Sequence, residues 1–259
     1  MPARPIHRFG AADHLFRGAR AGALSGLAAG DVALFGLASH EPMARAVRDA
    51  SWFAPERGSV PALADLGDAD APAAAIAAAI SARGSFACLL GGGPADAAAV
   101  ARASAADATI LLSARLDIDP GSLAGPGLAI GVHDLLPARS MRAWREAGGV
   151  AVPATGDGAF VARVRVAMDG LAGASSAAVI LDLGVIDAGH ASGCEVANIG
   201  GLSARDVLEA MGALASRMRI VASSVTGLAP ERDPRGHGEL VAAEAIAIAA
   251  SSLHARGAA

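Results

Sequence analysis

Short apolar runs alternate with helix-like segments along the chain, and that alternation most restricts the fold. Asp31–Gly36, Phe86–Leu90, Thr109–Leu112, Gly127–Val132, Val150–Pro153, Val179–Leu183 and Arg219–Ser223 read as strands. Between them lie segments with helical spacing or alanine-rich composition: Met43–Trp52 behind Pro42, Ala71–Arg83 before Gly84, Ala95–Ser104, and Ser140–Ala147 before Gly148 and Gly149. Gly158–Gly170 sets Phe160, Val164 and Ala167 on one stripe, and Gly238–Ser252 is long and alanine-rich. Ser203 is the expected N-cap of Ser203–Ser216, whose apolar face is Val207, Leu208, Met211 and Leu214. Strands that alternate with helices imply an α/β domain with a mostly parallel sheet. No repeat or linker divides the chain, so residues 1–259 read as a single domain with residues 1–28 as an N-terminal extension.

Composition removes several classes of function. Hydrophobic residues make up 53% of the chain, much of it alanine, and no apolar run reaches the ~18–20 residues that span a bilayer. The start, residues 1–18, lacks the apolar core of a signal peptide, so the expected location is cytoplasmic. Cys88 and Cys194 are too few and too far apart for a disulfide framework. A net charge of −4 gives no electrostatic case for nucleic acid or a membrane. The chain has no lysine and no tyrosine, so arginine carries its positive charge.

The stretch Ile180–Leu202 bears most on chemistry. A buried-strand run, residues 177–181, ends in Asp182-Leu183-Gly184, and Asp187 and Gly200-Gly201-Leu202 follow. This resembles the S-[IL]-D-x-D-x-[LFI]-D-P stretch and P-G-G-L loop of the arginase/agmatinase/formiminoglutamase (ureohydrolase) family, with Gly184 at the second aspartate. Weaker matches come in the same order. Asp31–Gly36 with residues 44–51 is similar to the family's opening strand and G-P-x-A-I-R-x-A-S helix, with the loop between them abbreviated to residues 37–42. Leu89–Pro94 is similar to L-G-G-D-H, Ile110–Asp117 to the run ending D-A-H-x-D, Ile130–His133 to I-G-[IV]-R, and Ser224–Pro230 to D-x-x-E-x-x-P. The resemblance implies a three-layer α/β/α domain with about eight strands, assembled as trimers or hexamers.

The resemblance also implies a pair of bridged Mn²⁺ ions, held by aspartates and histidines at four strand ends. Such ions make hydroxide near neutral pH, and hard oxygen and imidazole ligands hold them. Carried over residue by residue, Pro94 stands at the first motif's histidine, Ser113 and Arg115 at an aspartate and histidine of the second, and Gly184 at an aspartate of the third. Only Asp117 and Asp182 remain. A +1 and a +2 charge at ~4 Å repel by roughly 8 kcal/mol at an effective dielectric of ~20. Arg115 is therefore expected to pair with Asp117 or Asp182 and fill the vacated site. The family's substrate-orienting glutamate falls at Gly227, and the substrate loop is cut to residues 118–130. The expectation is no metal and no cofactor.

Other candidates are weaker. No histidine pair has ligand spacing. His190 and His237 are read as loop histidines near the strands' carboxyl edge, and a different ligand set would need His40, His133, His190 or His237 to swing in. Cys194 needs a base such as His190 to become a nucleophile and is otherwise a buried or idle thiol. Gly91-Gly92-Gly93 is followed by Pro94, which lacks the N–H a phosphate loop requires. Asp117 and Asp119 suit a solvated turn. Arg139, Arg142 and Arg145 suit a solvated helix face anchored by Trp144.

Two functions are carried forward. The first is a non-catalytic homologue, a structural or regulatory subunit that pairs with itself or with an active relative. The alternative is an altered or metal-independent hydrolase of a guanidino or amidino C–N bond, using Asp117, Asp182, Arg115, His190 or Cys194.

Overall fold

The computed structural model describes residues 16, 19–51, 62–133, 137–171, 173–191 and 193–253. Its elements, in chain order, are β1 (Ala19–Ala21), β2 (Val32–Leu37), α1 (Glu41–Ser51), β3 (Leu63–Ala69), α2 (Ala73–Ser81), β4 (Phe86–Leu90), α3 (Pro94–Ala103), β5 (Ala108–Leu112), β6 (Gly127–Val132), α4 (Ala138–Glu146), β7 (Val150–Pro153), α5 (Phe160–Asp169), β8 (Ser176–Asp182), α6 (Ala204–Arg217), β9 (Arg219–Thr226) and α7 (His237–Ser251). The strands form one sheet in the order β1-β3-β2-β4-β9-β8-β5-β6-β7, and every pairing is parallel.

The layers follow from side-chain alternation. In β2 and β4, Val32, Leu34, Phe86, Cys88 and Leu90 face a core shared with α1, α5, α6 and α7. Their neighbours Ala33, Phe35, Ala87 and Leu89 face a second core with α2, α3 and Trp144 of α4. Both faces are covered, as a parallel sheet requires. The three-layer α/β/α architecture is therefore present, with nine strands rather than about eight. Among the described residues, no helix is long and apolar enough to cross a membrane.

Two strands were not legible in the sequence. β1 lies within residues 1–28 and adds an edge strand by pairing Ala19–Ala21 with Leu63–Asp65. β3 has the sequence LADLGDA, whose two aspartates and glycine break the apolar pattern. It survives because Arg48 of α1 neutralises both carboxylates. Arg48 Nε and Nη2 grip Asp65 at 2.9 and 3.1 Å, and Nη1 reaches Asp68 at 2.8 Å. Asp65 also accepts the backbone N–H groups of Phe16 and Gly67. Burial opposes the Arg48 charge, but the two carboxylates outweigh it and hold its pKa above the ordinary value.

Several boundaries also move. β8 begins at Ser176 and β9 runs on to Thr226. The helix expected at Met43–Trp52 spans Glu41–Ser51, and Trp52 lies outside the described residues. Ser203 caps α6 as expected: its hydroxyl accepts Asp206 N–H, while the Asp206 carboxylate accepts Ser203 N–H.

Candidate functional site

The connection from β4 to β5 leaves a gap that β9 and β8 later fill. Ligands of open parallel sheets bind at the carboxyl ends of strands where the winding breaks in this way. That edge brings together the ends of β4, β9, β8 and β5, which carry Pro94, Gly227, Asp182 with Gly184, and Ser113 with Arg115 and Asp117.

Asp182 is the centre of the cluster. It closes β8 with its side chain 14% exposed. Its Oδ2 accepts Ser113 Oγ–H at 2.8 Å, and its Oδ1 accepts Gly184 N–H at 3.0 Å. Arg115 Nη2 lies 3.7 Å from Oδ2, while Nη1 pairs with Asp117 at 3.1 Å. Arg115 thus reaches both carboxylates, where a pairing with one or the other was expected. Arg115 N–H donates to Ser113 Oγ, so the serine is both donor and acceptor within the cluster. The Arg115–Asp117 pair is the exposed half, at 36% and 52%, and such pairs contribute about 0–1 kcal/mol. Ser113 is buried and Asp182 largely so, and there an unpaired carboxylate would be costly.

The surrounding glycines show how tightly the carboxylate is enclosed. Gly227 has φ +73°, a conformation that favours glycine, and a Cβ there would overlap Asp182 Oδ1. A Cβ on Gly184 would sit 3.2 Å from the same oxygen and 3.4 Å from Val196 O. Pro94 is exposed, opens α3 and has no side-chain donor or acceptor.

The loop after β8 folds back over this edge. Asp187 accepts Gly189 N–H at 2.8 Å and Gly200 N–H at 2.6 Å, and these backbone bonds hold its carboxyl below the usual range. Isolated bridges pair Ile186 with Leu202, Asp187 with Asn198 and Cys194 with Leu228. His133 Nε2 lies 2.9 Å from Ile199 O, tying the end of β6 to the loop.

Among the remaining sequence candidates, Cys194 lies close enough to Asp182 to feel its charge but makes its hydrogen bond elsewhere. Cys194 is buried, and its thiol donates to Leu183 O at 3.1 Å. Burial, then the charges of Asp182 and Asp233, push it up to about 12, far from the thiolate a nucleophile needs. His190 and His237 are exposed. No described group of three or more His, Cys, Asp or Glu side chains could hold a metal ion. The donor set at this edge does not fit a pair of divalent ions, because proline and glycine offer no side-chain donor and an arginine cation lies between the two carboxylates.

Alkylation checks the cysteine assignment. Iodoacetamide at pH 8 should leave Cys194 and Cys88 unmodified in the native protein and label both after denaturation, since burial raises both thiols. Rapid stoichiometric labelling of native Cys194, read by peptide mass spectrometry, would show that its environment activates it.

The fold is shared with known proteins. The chain is similar to formimidoylglutamase from Bacillus subtilis, with a TM-score of 0.72 at 16% identity over 96% of this chain and 95% of that one. It is similar to the agmatine ureohydrolase of Thermoplasma volcanium, with a TM-score of 0.70 at 15% identity over 89% and 92%. Proclavaminate amidino hydrolase from Streptomyces clavuligerus gives 0.69 at 20% identity over 89% and 94%. The chain has the ureohydrolase fold. The Arginase family model matches residues 152–251, from the end of β7 through α7, which include Asp182, Gly184 and Gly227. No curated protein sequence matches the chain. Ligands of open parallel sheets bind at the strands' carboxyl edge, and here that edge holds an arginine–aspartate–serine cluster.

Nothing in the order of residues pointed to the Arg48–Asp65–Asp68 cluster. The only hint was two aspartates in an unassigned stretch, without evidence that it was a strand. Sequence reading also missed Asp233, which is buried and accepts Gly238 N–H at 2.7 Å to cap the first turn of α7.

Proposed function

We propose that this protein is a non-catalytic ureohydrolase homologue, a structural or regulatory subunit whose metal site has degenerated. The observation that carries this reading is the occupation of Asp182. Both carboxylate oxygens are taken up by Ser113, Gly184 and Arg115, and the space beside it is closed at Gly227. A carboxylate committed in this way has little left for a dication, and a guanidinium within 4 Å of it repels one. The positions read as degenerate ligands are Pro94, Ser113, Arg115 and Gly184, and the lost substrate-glutamate position is Gly227. The alternative, an altered C–N hydrolase, needs an available acid–base or nucleophilic group. Asp182 is internally paired and Cys194 is held protonated.

On this reading the chain acts by assembly, as a homo-oligomer (trimer or hexamer) or beside an active relative, and its expected place is the cytoplasm. The test is metal analysis after dialysis against Mn²⁺, with urea release measured from arginine and agmatine. The expected result is substoichiometric metal and no turnover. Stoichiometric manganese with urea release would overturn the reading.

A further inference from the structure

We draw no further inference here: the strongest candidate, the apolar tip of the loop between β8 and α6 where Val196 and Ile199 are exposed, carries nothing, because nothing among the described residues shows what covers it.

Discussion

Replacing Arg48 by alanine should cost the fold about 3–5 kcal/mol, the usual penalty for removing one partner of a buried ion pair. Arg48 is 4% exposed, and its partners Asp65 and Asp68 are 0% and 17% exposed. Without the guanidinium, two carboxylates remain close together in a region water barely reaches. For a chain of this length each kcal/mol moves the thermal midpoint by about 2–4 °C, so a fall on the order of 10 °C is expected in calorimetry. The pH dependence identifies the cause. In the variant, burial and mutual repulsion raise the folded-state pKa of the two aspartates above the unfolded value of ~3.9. The folded state then favours the protonated form. Stability is greatest below the unfolded pKa and is lost as pH rises through the raised folded values. The deficit relative to the parent should therefore shrink as the pH is lowered toward 4. Arg48→Lys keeps the charge but not the fork to Asp65, and should fall between parent and alanine variant. An alanine variant as stable as the parent at pH 7 would show that β3 is held by other forces.

The second large effect is expected at Gly227. Placing glutamate there, the residue the family resemblance implies, should destabilise the protein by about 3 kcal/mol, combining a strained left-handed backbone with overpacking. The new Cβ would overlap Asp182 Oδ1, so the carboxylate must leave its bonds to Ser113 and Gly184. A double-mutant cycle separates the two causes. If overlap with Asp182 dominates, Gly227→Glu should cost much less in an Asp182→Ala background, with a coupling of about 1 kcal/mol or more. If backbone strain dominates, the cost should be the same in both. A Gly227→Glu protein as stable as the parent would mean that the carboxyl edge is open enough to accept a substrate-orienting side chain, against the closed site proposed above.

These two positions show the division between what could and could not be read in advance. Gly227, Gly184, Ser113, Arg115 and Pro94 stand out because motif order survives around them. Local sequence carries that order, since each motif is a strand end followed by its own loop. The pairing of Arg115 with Asp117 and Asp182 was also accessible, because charge balance at a strand edge leaves an arginine few other partners. How tightly the edge closes was not accessible. It depends on Gly227, just past the end of β9, meeting Asp182 at the end of β8, residues brought together only by sheet register, in which Asp182 pairs with Thr226.

The sequence alone determined the class of the fold. Apolar runs of strand length separated by helix-length segments can bury both faces only as a parallel sheet between helical layers. It also set the side chains available at Pro94, Gly184 and Gly227, none of which carries a side-chain donor. The tertiary structure decided the rest. β3 is a strand despite its aspartates because Arg48, seventeen residues from Asp65 in the chain, neutralises them in space. A cavity at the sheet's amino edge exists because the ends of α2, α3 and α7 meet around Arg219. Both are long-range pairings, and a periodicity read along the chain carries no record of them.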